Sequence, residues 1–141
     1  MAITIRSFDQ AETAEVIALW REAGLTRPWN DPVRDIERKL TVQPELFLVA
    51  VDDGVLVGTV MAGYDGHRGW LSYLATAASH RGHGIGRSLV TAAEDALTAL
   101  GCPKVMLMVR AENTPVLDFY DRLDYTADDV RVLGKRLIAD N

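Results

Sequence analysis

The sequence predicts a mixed α/β fold, in which a central, mainly antiparallel sheet is flanked by about four helices. Two observations carry this prediction. Short β-rich segments in the middle of the chain are joined by Asp-Gly turns, which are typical of antiparallel hairpins. Segments of helical periodicity precede and follow these strands, and one sheet with helices on both faces would bury their apolar stripes.

The N-terminal part is predicted to hold one strand and two helices. Residues 3–7 alternate as a strand does. Asp9 to Glu12 reads as a capping box that starts a helix, and Gly24 ends this helix. Asp31-Pro32 starts a second helix, because Asp caps well and Pro suits the first turn.

The rest of the chain is predicted to alternate strands with helices. Asp52-Asp53-Gly54 joins two strands as a hairpin, and Asp65-Gly66 marks another turn. The predicted strands are 46–51, 55–64, 70–76, 104–110 and 130–137, and the predicted helices run from near Gly84 to Gly101 and from Asn113 onwards.

The composition is that of a globular protein, because 48% of the 141 residues are hydrophobic and 25% are charged. This length fits one domain over residues 1–141. No apolar run approaches the roughly 18 residues that a membrane span needs, and the N-terminus shows no signal-peptide pattern. Cys102 is the only cysteine, which suits a reducing compartment. We therefore expect a cytoplasmic protein with no membrane partner.

The net charge of −5 disfavours nucleic acid as a partner. Binding to a phosphate backbone needs clustered lysine and arginine, whereas the chain carries 20 acidic and 15 basic residues. The same charge is compatible with a cationic or amine substrate, although it would serve solubility equally well.

The segment from Ser79 to Arg87 points most directly to chemistry. Three glycines in five residues, Gly82, Gly84 and Gly86, lie between a predicted strand and a long predicted helix. Glycine permits close approach to a ligand, and the first N–H groups of a helix bind anions. The segment has four basic or histidine side chains and no acidic one, so we expect a pyrophosphate site. Its spacing fits neither a Walker loop nor a Rossmann fingerprint, and glycine-rich turns also occur for structural reasons alone.

Two motifs resemble those of the GNAT superfamily of acyl-CoA N-acyltransferases. Arg81 to Gly86 reads R-G-H-G-I-G and is similar to the pyrophosphate motif of that family. The segment Asn113–Tyr125, about 30 residues further on, resembles the family's N-x-x-A-x-x-F-Y-x-x-x-G-F segment. The order of predicted elements resembles the family fold over nearly the whole chain, and segments 25–31 and 63–69 are similar to those of bacterial acetyltransferases.

Three residues depart from the family pattern. Thr76 stands where valine is usual, and Ala78 stands where proline is common. Asp124 replaces the usual glycine after the last helix, where we expect a left-handed backbone that Asp tolerates better than most residues. None of the three removes a catalytic group.

The resemblance implies acetyl-CoA as co-substrate and no metal. Strands 70–76 and 104–110 would splay apart, and CoA would lie in the gap. One N–H of the first strand would polarise the thioester carbonyl. The implied contacts are Leu74, Ala75 and Thr76 for the pantetheine arm, and Arg81, Gly82, His83, Gly84, Ile85, Gly86 and Arg87 for the pyrophosphate.

Tyr120 matches the family's general acid and would also contact the cofactor, although an aromatic on the apolar face of a helix is often a core residue. Asn113 would either hydrogen-bond the cofactor or merely cap its helix. Many relatives place the general base on the strand before the phosphate loop, but residues 70–76 contain no carboxylate. The remaining candidates for a base, directly or through water, are Asp65, His67 and Tyr73.

The expected reaction is transfer of an acetyl group to a primary amine, carried by a small molecule or by a protein. Arg27, Trp29 and Asn30 lie in the loop between the first two helices, which often covers the acceptor pocket in this family; they would bind substrate or merely anchor the loop. The alternatives are a catalytically silent acyl-CoA-binding sensor or interaction module and an enzyme for longer acyl groups. The sequence is also compatible with a homodimer.

Overall fold

One five-stranded sheet organises the chain in the computed structural model, which describes residues 1–140. The strands follow one another in chain order, with three antiparallel pairs and a final parallel pair. This confirms the predicted mixed, mainly antiparallel sheet. The elements are β1 (Ile3–Ser7), α1 (Thr13–Glu22), α2 (Pro32–Lys39), β2 (Phe47–Asp52), β3 (Val55–Tyr64), β4 (Gly69–Thr76), α3 (Ile85–Ala99), β5 (Val105–Leu107) and α4 (Thr114–Asp121).

Local sequence signals account for most element boundaries. The Asp9 side chain accepts from the N–H of Ala11, and Glu12 bonds back to the N–H of Asp9, so the predicted capping box is present; it opens a short 3₁₀ turn that leads into α1. Asp53 and Gly54 have φ of 48° and 83°, the left-handed pair that a tight hairpin requires.

Apolar cores cover both faces of the sheet. The core on the α1 and α2 side is built around Trp20, Ile36 and Phe47, and the core on the α3 and α4 side around Leu89 and Leu97. No helix within residues 1–140 is long and apolar enough to cross a membrane.

The start of α3 is fixed by a close contact with the sheet. A Cβ atom on Gly58 of β3 would lie 2.9 Å from Leu89 Cδ1 and 3.1 Å from Ile85 Cγ2. Only glycine therefore lets α3 approach β3 this closely. This contact holds the N-terminal turn of α3 against the sheet.

A β-bulge interrupts the pairing of β3 with β4. Thr59 pairs with Ala75 and Met61 pairs with Ser72, so two steps along β3 oppose three along β4. The extra residue falls at Tyr73, whose φ of 53° is unusual for a residue other than glycine.

Strands β4 and β5 pair over only three residues. Gly69 to Leu71 of β4 pairs with Val105 to Leu107 of β5, and the pairing then ends. Residues 108–110, predicted as strand, have no regular structure. From Ser72 onwards, therefore, β4 has an unpaired edge on this side, which gives the splayed arrangement that the resemblance implied.

The predicted strand 130–137 is wrong. This segment has no regular structure, and its apolar side chains are exposed, with Leu133 at 90% and Leu137 at 86%. An alternating pattern supplies the side chains of a strand, but a strand also needs a neighbouring edge with which to bond. Arg136 instead bonds to Asn30, and Asp140 bonds to Arg38, so the segment is held beside α2.

Candidate active site

The glycine loop before α3 presents free backbone amides. Gly82 and Gly84 have φ of 81° and 76°, and a Cβ atom on either would meet no atom within 4 Å. The backbone conformation therefore requires glycine at both positions, and the space around them is open. The earliest backbone bond of α3 runs from the Ser88 N–H to the Gly84 carbonyl at 3.0 Å, and no side chain caps the helix. The preceding N–H groups of the first turn are available to an anion.

Three basic side chains around this loop have no protein partner. Arg81, His83 and Arg87 are exposed and make neither an ion pair nor a side-chain hydrogen bond within residues 1–140. Together with the helix terminus, the two guanidinium groups form a positive surface. We call Arg81 to Arg87 the anion loop.

His80 does not belong to this positive surface, although the sequence placed it there. Its Nε2 lies 2.7 Å from Asp52 Oδ2, and its Nδ1 lies 2.7 Å from the Ser79 hydroxyl. The hydrogen bond from His80 lowers the pKa of the Asp52 carboxyl. His80 therefore ties the loop to the end of β2.

The anion loop, the end of β4 and α4 meet at Gly86. A Cβ atom there would lie 3.6 Å from Thr76 Oγ1 and 3.4 Å from Phe119 Cζ. On the β4 edge, Ala75 is buried, whereas Leu74 and Thr76 are half-buried. The residues that the resemblance assigned to pantetheine thus adjoin those it assigned to pyrophosphate.

Tyr120 lies on the buried face of α4 and is 8% exposed. Its ring makes edge contacts with Phe119 and Tyr125, with centroid distances of 5.0 and 5.4 Å. Its hydroxyl makes no hydrogen bond within residues 1–140, and no buried side-chain oxygen there lacks a partner, so this hydroxyl reaches the surface. Burial raises the pKa of Tyr120 to about 12, so the phenol is protonated at neutral pH and can donate.

Two positions of the family motif, Asn113 and Asp124, lie at the ends of α4. The Asn113 side chain makes no capping hydrogen bond, so helix capping does not occupy its amide. Asp124 has φ of 68°, as expected where the family has glycine. Tyr125 N–H donates to the Tyr120 carbonyl at 3.0 Å, which closes the helix in a Schellman motif.

On the face of the sheet that α1 and α2 cover, Tyr73 is held by neighbours that the sequence did not reveal. Its ring stacks on Trp20 at 3.9 Å, and its hydroxyl donates to Asp35 Oδ2 at 2.5 Å. Arg38 donates to Asp35 Oδ1 at 2.7 Å and also to Asp140. Burial and the Asp35 carboxylate raise the pKa of Tyr73 above its ordinary value. The sequence signal for Asp35 was only its place on the polar face of α2.

The other two candidate bases lie in the turn before β4. The Asp65 carboxylate accepts the N–H groups of His67 and Arg68 at 2.8 and 2.7 Å, and these bonds lower its pKa. His67 is exposed. Leu74 lies five residues beyond Gly69 along β4, roughly 16 Å at strand spacing, so this turn is remote from the C-terminal end of the strand.

A hollow of about 500 Å³ lies beside the α1–α2 loop. Arg27, Asn30 and Asp140 contribute to its lining, whereas Trp29 is 52% exposed and stands outside it. Arg27 donates to the carbonyls of Gly24 and Thr26, which supports a role in holding the loop. Within residues 1–140, no group of three or more His, Cys, Asp or Glu could hold a metal ion.

Comparisons with known proteins agree on one family. A sequence profile of the acetyltransferase (GNAT) family matches residues 12–125. An acetyltransferase of Yersinia pestis (strain Pestoides F) is 52% identical over 136 residues, 96% of each chain. The NatC complex bound to Gag peptide and CoA is 28% identical with a TM-score of 0.75, over 87% of this chain and 84% of that one. Aminoglycoside N-acetyltransferase AAC(6')-Iy in complex with CoA has a TM-score of 0.79 at 18% identity, over 97% and 96%.

Proposed function

The chain belongs to the GNAT family of acetyltransferases, and we propose that it transfers the acetyl group of acetyl-CoA directly to a primary amine. The observation that carries this proposal is the anion loop, whose free amides and unpartnered cations adjoin the unpaired edge of β4. A diphosphate carries the negative charge that complements such a loop, and an extended pantetheine arm can hydrogen-bond to a free strand edge.

The residues fit acetyl-CoA at both ends of this surface. Acetyl-CoA supplies an acetyl group activated as a thioester. The backbone N–H groups from Gly82 to Arg87 would bind its pyrophosphate, with the exposed guanidinium groups of Arg81 and Arg87 as positive neighbours. The backbone of Leu74 to Thr76 would bind the pantetheine arm, because β5 does not pair with this part of β4.

Tyr120 would donate the proton that the departing thiolate needs. A thiol has a pKa near 8.5, so the thiolate gains from an acid as it leaves. The raised pKa of Tyr120 keeps its phenol protonated, and its hydroxyl reaches the surface of α4. Asn113, whose side chain does not cap α4, would hydrogen-bond the cofactor from the N-terminus of the same helix.

The acceptor would enter from the α1–α2 side of β4. The hollow lined by Arg27 and Asn30 lies there, and Trp29 stands exposed beside it. By their names, one structural relative acts on aminoglycosides and another was bound to a peptide. Both acceptor classes, aminoglycosides and peptide amines, therefore belong in a search for the substrate.

The test is a panel of amines assayed for thiol release from acetyl-CoA, with the product identified by mass. The panel would contain polyamines, amino acids, aminoglycosides and peptides with a free N-terminus or lysine. We expect an adduct 42 Da heavier than one class of amine, the mass of an acetyl group replacing a proton. Binding of acetyl-CoA without thiol release for any amine would contradict the proposal and favour an acyl-CoA sensor. Faster release from succinyl-CoA would contradict the choice of donor alone.

A further inference from the structure

We propose that Asp35 receives the proton of the acceptor amine through the hydroxyl of Tyr73. The inference rests on the proposed amine acetylation. It assigns the base that β4 does not supply itself, since residues 70–76 contain no carboxylate. Asp35 reaches β4 from α2, 38 positions away in the chain.

Tyr73 occupies an unusual position in β4. Tyr73 lies in the bulge of β4, immediately before Leu74, the start of the edge proposed to bind pantetheine. Its φ of 53° is costly for a tyrosine, by about 1–3 kcal/mol. A core aromatic needs no such conformation, and backbone strain of this kind concentrates at functional sites.

Several contacts hold Tyr73 in this strained position. Trp20 stacks on its ring at 3.9 Å. The indole N–H of Trp20 donates to Thr59 Oγ1 at 2.9 Å, and the Thr59 hydroxyl donates to the Tyr73 carbonyl at 2.8 Å. Thr59 is fully buried. Ring and backbone are thus both fixed, and the hydroxyl has one direction in which to point.

That direction ends at a carboxylate whose two oxygens have different partners. Asp35 Oδ2 accepts from the Tyr73 hydroxyl at 2.5 Å, while Asp35 Oδ1 accepts from Arg38 at 2.7 Å. Arg38 is itself held by Asp140. The charged and titratable groups that face Tyr73 are therefore Asp35, Arg38 and Asp140, and Arg38 orients the carboxylate so that Oδ2 serves Tyr73.

A relay explains how a tyrosine with a raised pKa can take part in removing a proton. Tyr73 could not do so as a phenolate, because burial and Asp35 both oppose its ionisation. In the relay, the amine proton passes to the Tyr73 oxygen as the phenolic proton passes to Asp35 Oδ2, so Tyr73 stays neutral. The N–C bond forms and the C–S bond breaks. The amine enters as its ammonium, and the relay places one proton on Asp35. The thiolate takes a proton from Tyr120, and the Tyr120 phenolate takes the second proton that the new amide nitrogen must lose.

The experiment compares Asp35→Asn, Tyr73→Phe and the double variant with the wild type, using the best amine of the panel. Tyr73→Phe retains the ring that stacks on Trp20, and Asp35→Asn retains the size of the side chain. We expect kcat at neutral pH to fall roughly 10²–10⁴-fold in each single variant. Because the two residues act as one unit, the double variant should be no slower than the slower single variant.

The pH profile separates a lost base from structural damage. Without the relay, only amine already deprotonated in solution can react, so the deficit should shrink as pH rises toward about 10, near the pKa of an alkylamine. Binding of acetyl-CoA should raise the Tm of the wild type, and the same increase should be seen in both variants. Asp95→Asn, an exposed position on α3, is the matched control for the loss of a carboxylate and should keep wild-type kcat.

Three results would overturn the relay. They are wild-type kcat in Asp35→Asn, a deficit that is the same at every pH, and losses that multiply in the double variant. If Asp35→Asn does not fold, Tyr73→Phe with an unchanged pH profile would be equally decisive. A wild-type protein that releases no thiol with any amine would instead overturn the proposed function and the relay with it.

Discussion

The charged groups on the two faces of the sheet at β4 differ in whether they have protein partners. On the α3 and α4 side, Arg81 and Arg87 of the anion loop have no ion-pair partner among residues 1–140. On the α1 and α2 side, Arg38 and Arg136 are both bonded, to Asp35, Asp140 and Asn30. The chain has more acidic than basic residues, 20 against 15, so a shortage of carboxylates does not explain the unpaired arginines.

The difference shows how each side serves the proposed reaction. Charges without partners, next to free backbone amides, leave room for a ligand that brings its own negative charge. Charges that are already paired hold protein groups in position, as Arg38 holds Asp35. Substitutions on the two faces would test this distinction, and the largest effect is expected in the anion loop.

Gly84→Glu should abolish the binding of acetyl-CoA. The variant puts a negative side chain where the pyrophosphate is proposed to lie. Wild-type protein at 100 times Kd gains about 2.7 kcal/mol from the ligand, which a thermal melt detects as a higher Tm. Gly66→Glu is the matched control, because Gly66 also has positive φ, 92°, and open space around it. A folded Gly84→Glu protein that keeps the ligand-induced shift would contradict the assignment of the loop.

Tyr120→Phe should lower kcat roughly 10²–10⁴-fold while acetyl-CoA binds nearly as before. The ring and its contacts remain, and only the proposed proton donor is lost. Tyr125→Phe is the control: it breaks the bond from the Tyr125 hydroxyl to Glu94 and should lower Tm rather than kcat. Equal rates for Tyr120→Phe and wild type across the pH range would leave Tyr120 as a core residue.

Arg81→Ala or Arg87→Ala should weaken acetyl-CoA binding by about fivefold at most, since an exposed ionic contact is worth up to about 1 kcal/mol. The loss should shrink between low and high salt because screening weakens exposed contacts. Titrations at two salt concentrations measure it. Arg131→Ala, on the exposed C-terminal segment, should change nothing. A loss that salt does not alter would point to structural damage.

The two sides also differ in how well the sequence predicted them. The anion loop follows from local rules, since Gly82, Gly84 and the start of α3 are neighbours in the chain. Asp124 was expected to be left-handed for an equally local reason, and its φ is 68°. Local patterns therefore sufficed to predict the backbone conformation of the anion loop and of the end of α4.

The α2 side depends on contacts between distant residues, which no local pattern contains. Tyr73 and Asp35 are 38 positions apart, and Asp140 lies 102 positions from Arg38. His80 looked like part of the positive surface because its partner, Asp52 of β2, is 28 positions away in the chain. The predicted strand 130–137 failed for the same reason, because the sequence could not show whether a strand edge would be available.

The smallest expected effect concerns the tether between Asp140 and Arg38. The Asp140 side chain is 1% exposed, and its bonds to Arg38 and to the Asp31 N–H lower its pKa to about 2. A carboxyl whose pKa is lower in the folded state stabilises that state above its unfolded pKa, near 3.9, and the stabilisation is lost as pH falls toward 2. Asp140→Asn should therefore lower Tm by a few degrees at most at pH 7, and the difference from wild type should vanish by about pH 2. Melting curves of the two proteins from pH 7 down to pH 2 measure this difference. A gap that stays constant over that range would mean that the carboxylate charge does not hold the C-terminal segment, and that Arg38 orients Asp35 without help from Asp140.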